Sequence, residues 1–298
     1  RRWFERALTL GKQRYEKPGS LSLWQRLQDL AAELLVRRKI RKRFGGRLKA
    51  LVSGGAALNY DIGLFFTALG VRILQGYGQT EAAPVISVNL PYKSKLHTVG
   101  PPMTGVELKI AEDGEILVRG EMVMLGYWRD ADATAKAVVD GWLHTGDIGE
   151  IDADGYLAIT DRKKDIIVLS SGDNTSPARI EGFLVLQPEI AQAMVHGDRR
   201  PHLVALLVPD ADFVADWSRK NQREKDADLA NDPEFLKAMA AVLDRVNQRL
   251  QPFERIRRFM VTLEPFTIEN AMLTPSLKIR RHKIRERYGD ALAALYDR

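Results

Sequence analysis

Residues 48–74 read LKALVSGGAALNYDIGLFFTALGVRIL, and this pattern predicts a strand, a turn, a helix and a second strand. The apolar runs 48–52 and 71–74 have the length of short buried strands. Between them, residues 53–55 are typical of a turn, and residues 56–69 are long enough for a helix. A strand, helix and strand in this order is the unit of a parallel sheet, so we expect an α/β fold here.

Upstream of this unit, leucines and an alanine recur at helical spacing and predict an amphipathic helix that ends at Gly45-Gly46. They are Leu23, Leu27, Leu30, Ala31, Leu34 and Leu35. Downstream, residues 106–159 contain short strand patterns separated by Asp-Gly turns. The predicted strands are 106–110, 115–118, 148–151 and 156–159. We expect a smaller, mostly antiparallel, barrel-like β-unit.

The charged run DRKKD at 161–165 interrupts two β patterns, and its polarity predicts an interdomain hinge. After it we expect strands at 166–169, 191–195 and 203–208, helices at 177–186, 211–225 and 232–250, a strand near Met260 and a basic C-terminal helix. The chain is thus predicted to divide into a first part, 1–161, and a smaller α+β domain, 162–298.

The composition is that of a globular protein of about two domains: 298 residues, 45% apolar and 28% charged. Intrinsic disorder is excluded as the main state. The chain has no cysteine, which excludes disulfide scaffolds, thiolate zinc sites and cysteine nucleophiles and suits a reducing cytoplasm. His196 and His202 are too few for a closed zinc site. No apolar run reaches the ~18 residues of a membrane span, so we expect a protein that does not cross a bilayer. Residue 1 is Arg, so we expect a piece of a longer chain or a processed product.

The net charge of +6 is concentrated in two basic clusters. One comprises Arg37, Arg38, Lys39, Arg41, Lys42 and Arg43; the other comprises Lys278, Arg280, Arg281, Lys283, Arg285 and Arg287. For the first cluster we favour a solvated helix end that suits the helix dipole. A polyanion or the anionic inner face of a membrane stays open as a partner.

Residues 75–81, QGYGQTE, follow a predicted parallel strand, where α/β sheets bind ligands. Glycines admit a planar ring, Tyr77 can stack on it, the Thr80 hydroxyl can reach a phosphate, and Glu81 is a suitable Mg²⁺ ligand. A simple turn with a capping Thr explains this stretch equally well.

Two further stretches contain candidate site residues. Asp147 begins a predicted strand, and a carboxylate there can accept both hydroxyls of a ribose, with Arg162 following soon after. Near the end of the chain, LTPSLK at 273–278 places Lys278 in a turn before a helix.

Together these stretches resemble the adenylate-forming superfamily, which activates carboxylic acids with ATP. The resemblance covers essentially the whole chain and is carried by SGGAAL at 53–58, GYGQTE at 76–81, GEILVRG at 114–120, DRKKD at 161–165 and LTPSLK at 273–278. These motifs look most like long-chain fatty acyl-CoA synthetases, and the chain looks like the C-terminal half of one. The first part would be the back of the large domain and the second the small mobile domain.

The resemblance implies a two-step reaction in which a fatty acid and ATP form acyl-AMP, and coenzyme A then displaces AMP. It assigns the adenine to Gly54, Gly55, Ala56, Gly76, Tyr77 and Gly78, and the α-phosphate to Thr80. It further assigns Mg²⁺ to Glu81, the ribose to Asp147 and Arg162, and the coenzyme A tunnel to Gly172. Lys278 would stabilise charge that develops at the α-phosphate, and Lys164 would be the hinge.

The family's phosphate loop, expected upstream of Gly54, is absent from this sequence, so we expect the chain alone to be inactive. Residues 173–177 are also less basic and apolar than in the family, which affects the coenzyme A contacts. A carrier protein as acyl acceptor and a non-catalytic AMP-sensing module stay open as alternatives. A nucleic-acid binder is disfavoured because neither basic cluster has interleaved aromatic residues.

Overall fold

A computed structural model describes residues 1–224 and 228–297. The chain divides into two compact units, Arg1–Lys163 and Lys164–Arg298. Their secondary structure is given separately below.

The helices of the first unit are α1 Arg2–Glu16, α2 Leu23–Ala32, α3 Arg38–Arg43, α4 Tyr60–Ala68 and α5 Ala131–Ala137, with a π-helical turn at Glu33–Arg37 and a 3₁₀ turn at Thr80–Ala82. Its strands are β1 Leu51–Ser53, β2 Ile73–Tyr77, β3 Ser87–Val88, β4 Glu107–Ile110, β5 Glu115–Arg119, β6 Val138–Val139, β7 Trp142–Ile151 and β8 Leu157–Arg162.

The predicted strand, helix and strand unit is confirmed as β1, α4 and β2. β1 and β2 pair in parallel, and β3 adds an antiparallel strand on the other side of β2. The helix begins later than predicted because the Asn59 side chain caps it by accepting from the backbone N–H of Asp61. α1, which the sequence pattern did not predict, packs against α4 so closely that a β-carbon on Gly11 would lie 2.4 Å from the Ala68 carbonyl oxygen.

The predicted amphipathic helix is present as α2, the π-turn and α3, and it begins at a capping box between Ser22 and Gln25. Its apolar side is mostly exposed: the side chains with more than half of their surface accessible are Leu23, Trp24, Leu27, Leu30 and Leu34. The buried positions of the segment include Asp29, Ala32 and Arg37.

Arg37 is an exception to the expectation that the first basic cluster is a solvated helix face, since Arg38, Lys39, Lys42 and Arg43 are exposed as expected. This guanidinium is fully buried and donates to the carbonyl oxygens of Ala68 at 2.8 Å and Ala7 at 3.0 Å. It also pairs with Asp29 at 2.6 Å. The π-turn adds one residue to the helical repeat, which turns Arg37 inward, whereas Arg38 is exposed.

The remaining strands of the first unit form a five-stranded sheet in the order β4-β5-β7-β6, with β8 paired to the later part of β7. Among the described residues no ladder joins β4 to β6 or β8, so the sheet is open, where the sequence predicted a barrel-like unit. The Asp-Gly turns are confirmed: Gly114, Gly141 and Gly155 have φ of +83°, +77° and +78°, the left-handed conformation that glycine adopts without a steric penalty.

The strands of the second unit are β9 Ile167–Val168, β10 Asn174–Thr175, β11 Ile190–His196, β12 Leu203–Pro209 and β13 Ile256–Val261. Its helices are α6 Pro177–Leu184, α7 Ala211–Lys220, α8 Pro233–Asn247 and α9 Arg281–Ala294, with a 3₁₀ turn at Pro252–Glu254. The elements expected from the sequence are present with shifted ends. Of the predicted helix 211–225, residue 225 lies outside the described residues.

β11, β12 and β13 form one mixed sheet, with β12 antiparallel to β11 and parallel to β13. Every residue of β12 is buried, because one face of the strand packs with α6 and α8 residues and the other with the C-terminal segment. Across the described ranges, no helix combines the length and apolar character that crossing a membrane requires.

Candidate functional site

Three predicted site residues of the first unit meet at one buried carboxylate. Asp147 is 5% exposed, and its Oδ2 accepts a hydrogen bond from the Tyr77 hydroxyl at 2.6 Å. Its Oδ1 lies 3.2 Å from Nε of Arg162, a residue whose side chain is more than half exposed. The structure therefore brings together a carboxylate, a phenol and a solvent-accessible guanidinium.

Local pairing explains this meeting. Asp147 and Arg162 are directly opposite each other in the antiparallel ladder of β7 and β8, whereas Tyr77 arrives at the end of β2. Burial, and then the adjacent carboxylate of Asp147, raise the pKa of the Tyr77 phenol well above its ordinary value. The phenol is therefore a permanent donor to Asp147 at neutral pH.

The position of Tyr77 differs from what stacking on a base requires. Its ring is only 8% exposed and packs with Ala82, Ile86 and Leu143 in the core. Little ring surface is open to a planar ligand, so the principal observed contact of Tyr77 is with Asp147.

The glycine turn, residues 53–55, lies against the end of β2. A β-carbon on Gly54 would lie 3.6 Å from the Gly76 carbonyl oxygen, and Gly55, next to Ala56, has φ of +79°. Gly78 is required for a different reason: a β-carbon there would lie 1.6 Å from the carbonyl oxygen of Pro84. The turn and the strand end thus form one backbone-lined surface.

Thr80 and Glu81 open the 3₁₀ turn that follows β2, and Glu81 has a partner that the sequence analysis missed. The Tyr127 hydroxyl donates to Glu81 Oε1 at 2.8 Å, and the Met124 N–H donates to the Glu81 carbonyl oxygen at 2.9 Å. Tyr127 lies 46 residues further along the chain, in a loop with no periodic pattern, so no local signal identified it.

Gln79 was also missed as a candidate. Its Nε2 is buried and has no hydrogen-bond partner among the described residues, and it directly precedes Thr80. A buried amide donor without a protein partner fits a ligand that supplies an oxygen acceptor, such as a phosphate or carboxylate.

A second polar network lies beside Asp147 and holds the preceding residues of β7. Glu115 is buried; it accepts from the Gly146 N–H at 2.8 Å and from Lys163 Nζ at 3.0 Å, and it contacts His144 at 3.1 Å. Burial alone would raise the pKa of Glu115, but Lys163, His144 and the Gly146 N–H together lower it. An ionised Glu115 therefore fixes the backbone immediately before Asp147.

The other predicted site residues belong to the second unit. Lys164 is its exposed first residue, and Gly172, with φ of +91°, lies in the turn that joins β9 to β10. Lys278 is exposed in the loop before α9, and its N–H donates to Thr274 Oγ1 at 3.0 Å.

Comparison with protein families gives two matches: the model of the AMP-binding enzymes over residues 18–128, and that of the AMP-binding enzyme C-terminal domain over residues 164–298. The chain belongs to the AMP-binding enzyme family. The first match includes the 53–58 and 76–81 motifs of this family member, and the second includes Lys278.

Among curated AMP-binding enzymes, the long-chain-fatty-acid CoA ligase FadD15 of Mycobacterium tuberculosis is 38% identical over 94% of this chain and 47% of that protein. Human long-chain-fatty-acid CoA ligase 1 is 32% identical over 92% of this chain and 41% of that protein. The chain therefore spans about half the length of the curated relatives it matches.

Solved structures support the same fold. The adenylation domain of a carboxylate reductase from Mycobacterium chelonae superposes with a TM-score of 0.72 at 25% identity, over 99% of this chain and 46% of that one. The A-PCP didomain of a carboxylic acid reductase from Segniliparus rugosus, solved in complex with AMP, gives a TM-score of 0.70 at 25% identity, over 99% of this chain and 40% of that one.

Proposed function

We propose that this chain contributes the adenosine-binding and lysine-bearing parts of an enzyme that activates a long-chain fatty acid with ATP and transfers it to coenzyme A. The observation that carries the proposal is the Tyr77, Asp147 and Arg162 cluster beside the glycine turn. The names of the curated relatives support the fatty acid as substrate and coenzyme A as acceptor.

The cluster suits the ribose of ATP or AMP. The Asp147 carboxylate can accept from two vicinal hydroxyls, and Arg162 offers N–H donors at the exposed side of the same carboxylate. Tyr77 and Arg162 hold Asp147 from different oxygens, so the carboxylate is oriented before a nucleotide arrives. The backbone of Gly54, Gly55, Ala56, Gly76 and Gly78 would then lie against the adenine.

The 3₁₀ turn after β2 suits the α-phosphate and its metal ion. The Thr80 hydroxyl and the Gln79 amide would donate to phosphate oxygens, and Glu81 would bind Mg²⁺. Nowhere in 1–224 or 228–297 do three or more His, Asp or Glu side chains converge into a metal site. Glu81 would supply one oxygen to Mg²⁺, and phosphates and water would supply others.

Lys278 would act in the first step, in which the fatty carboxylate attacks the α-phosphorus and pyrophosphate leaves. Its ammonium would stabilise negative charge that builds up on the oxygens of the transition state. We propose that residues 1–161 are the back of the large domain, that residues 162–298 are the mobile small domain, and that Lys164 is the hinge between two reacting arrangements. In the second step the thiol of coenzyme A, guided past Gly172, would displace AMP.

A carrier protein is the second candidate acceptor, because a matching solved structure is an A-PCP didomain. Coenzyme A is favoured because the relatives named as CoA ligases are 32% to 38% identical, against 25% for that didomain. Protection of the amides near Gly172 by coenzyme A in hydrogen exchange would support the thiol acceptor; unchanged exchange would support the carrier.

The first experiment is calorimetric titration of the purified chain with AMP. We expect the wild-type chain to bind AMP and Asp147→Asn to lose this binding. The amide replaces one of the two acceptor oxygens with an NH₂ donor. Asp152→Asn is the matched control: it removes a carboxylate that pairs with Lys95 outside the cluster, and it should bind AMP normally. A wild-type chain that does not bind AMP, or an Asp147→Asn variant that binds it equally well, would contradict the adenosine assignment.

The second experiment measures AMP release with ATP, Mg²⁺, a long-chain fatty acid and coenzyme A. We expect AMP binding without turnover, because the sequence lacks the family's phosphate loop. Formation of AMP and acyl-CoA by this chain would show that another segment replaces that loop. The same assay on a protein of the relatives' full length, with the phosphate loop, tests Lys278→Ala, which should abolish acyl-AMP formation.

The exposed cations of the two basic clusters, such as Arg38, Lys39 and Lys278, support a secondary contact with the anionic inner face of a membrane, where fatty acids partition. The absence of cysteine supports a cytoplasmic location. Salt-sensitive sedimentation with anionic liposomes, and none with neutral ones, is the expected result.

A further inference from the structure

A buried ion pair in the second unit takes no part in the proposed chemistry. Glu181, on α6, is 7% exposed. Arg281, the first residue of α9, reaches it with both terminal guanidinium nitrogens. Nη1 lies 2.5 Å from Oε1 and Nη2 lies 2.6 Å from Oε2. This fork-to-fork geometry fixes the direction of the arginine as well as its position.

Glu181 is itself held by its own helix and by β11. It follows Ile180 in α6, whose side chain is fully buried in the core of the unit. Its Oε1 also accepts the N–H of Val195 in β11 at 2.7 Å. The carboxylate is therefore a fixed point to which Arg281 is attached. A buried pair of this kind is weak evidence for stability, since desolvation offsets much of the attraction, and its geometry calls for another explanation.

The loop that Arg281 terminates carries Lys278. The two ends of this loop are tied by a bridge between Leu273 and Ile279 and by the Arg280 N–H, which donates to the Met272 carbonyl oxygen at 2.8 Å. At its tip, the Thr274 N–H donates to the Lys278 carbonyl oxygen at 2.9 Å. Residues 272–280 thus form a closed loop that leaves directly into Arg281.

The conformation of the loop needs such support. Leu277, immediately before Lys278, has φ of +60°, a left-handed conformation that is unfavourable for a leucine. Its side chain is 68% exposed, so packing does not compensate for the strain. Residues in such strained conformations persist where the surrounding structure holds them in place. Here the part that is held in place is the end of the loop.

The neighbouring cations of α9 behave differently. Lys283 pairs with Glu286 on the same helix, and Arg287 pairs with Glu264, both at exposed or half-exposed positions. Arg281, by contrast, pairs with a carboxylate 100 residues earlier in the chain, in the core of the unit.

We propose that Glu181 is a positioning residue which, through Arg281, fixes the 272–280 loop and so the direction of Lys278. The importance of Lys278 rests on the proposed function, but the mechanical link between Glu181 and the loop does not. Glu181 touches no reacting atom and acts only through Arg281.

The test is amide hydrogen exchange of the purified chain, followed residue by residue by NMR. In Glu181→Gln we expect the amides of Thr274, Lys278 and Arg280 to exchange about tenfold faster, while those of β12 keep their wild-type rates. Arg281→Lys, which keeps the charge but loses the fork, should have the same local effect. Glu286→Gln, which removes an exposed pair of α9, is the control and should leave the loop unchanged. Wild-type loop exchange in a folded Glu181→Gln variant would overturn the proposal.

If β12 also exchanges faster in Glu181→Gln, a double variant distinguishes a specific effect on the 272–280 loop from a general loss of stability. Replacing both residues by methionine removes the unpaired buried charge and is expected to restore wild-type exchange in β12. The proposal requires the loop amides to stay fast in that double variant. Restored loop protection, or β12 exchange that stays as fast as the loop, would make the pair merely structural. No arm of the experiment uses a nucleotide, so its outcome is independent of whether the chain binds AMP.

Discussion

The carboxylate of Asp147 is almost fully removed from water, which is costly unless its oxygens find donors. Tyr77 and Arg162 supply them from different sides, one from the core and one from the surface. At the scale of single residues, the candidate site is therefore a carboxylate held in place by the neutral Tyr77 phenol and the Arg162 guanidinium.

Replacing Tyr77 by Phe removes the core donor without changing the ring. We expect affinity for AMP to fall about tenfold, since a hydrogen bond to a charged group contributes ~1.5–3 kcal/mol. Calorimetric titration measures the change. Tyr156→Phe is the control, because Tyr156 is also buried but donates to the Lys93 carbonyl oxygen instead. Equal AMP affinity in wild type and Tyr77→Phe would contradict the role of the phenol.

The sequence identified Asp147 and Arg162 as one pair but gave Tyr77 a different task. The pair is local, since an antiparallel turn brings the two residues opposite each other. The bond between Tyr77 and Asp147 spans 70 residues and two separate sheets, and no periodicity encodes such a contact. The same reason explains why Tyr127 was missed beside Glu81.

At the scale of elements, the π-turn decides which arginine is structural. Arg37 joins α1, α2 and α4 through its guanidinium, whereas the neighbouring Arg38 faces solvent. The charged run alone does not distinguish them, because a π-turn has no strong sequence signal.

Arg37→Gln should lower the free energy of unfolding by about 3–5 kcal/mol, because it removes the fully buried partner of Asp29, which then keeps only the half-exposed Arg14, and takes a donor from the Ala68 and Ala7 carbonyl oxygens. Arg38→Gln, one position later on the exposed side, should change it by less than about 0.5 kcal/mol. Urea unfolding of the two variants gives the comparison. Similar losses in both would indicate that the buried pair is not formed.

Element types were largely predictable from the sequence, but their orientation was not. The apolar spacing in 23–35 correctly indicated a helix, yet Leu27 and Leu30 point outward. The spacing of apolar residues shows that a helix has an apolar and a polar face. It does not show which face packs against other elements. α1 was missed because only Ala7, Leu10 and Gly11 of its residues are buried, too few to produce a clear period.

At the scale of the whole molecule, charge pairs connect distant segments of the first unit. Lys93 and Lys95 pair with the turn that contains Asp152 and Asp154. Lys93, and then Lys95, lower the pKa of Asp154 to about 2, and Lys95 lowers that of Asp152.

These lowered pKa values predict acid sensitivity with a definite sign. A carboxylate whose pKa is lower in the folded state stabilises the fold above its ordinary pKa, and this stability is lost as the pH falls from about 4 to about 2. Lys95→Met should therefore lose less unfolding free energy than wild type over this range. Lys109→Met, which removes an ammonium stacked on the Trp142 ring, should retain the wild-type pH dependence. Urea unfolding at several pH values measures the free energy of unfolding of the three proteins. The same pH dependence in wild type, Lys95→Met and Lys109→Met would contradict this prediction.

The second unit contains its own core. The two buried clusters on either side of β12 involve residues between Ile167 and Leu295 only. We expect residues 164–298 to fold alone, with a dispersed amide NMR spectrum and a cooperative thermal transition. A collapsed spectrum would show that the first unit is needed for folding.

The fully buried strand β12 has a consequence for how the protein is made. On the ribosome, Leu203–Pro209 emerges soon after its antiparallel neighbour β11, but its parallel neighbour β13 follows roughly 50 residues later. At ~5–20 residues per second, an apolar strand edge stays open for several seconds of translation. This interval, rather than any property of the finished fold, is when the growing chain depends most on chaperones that cover exposed strands.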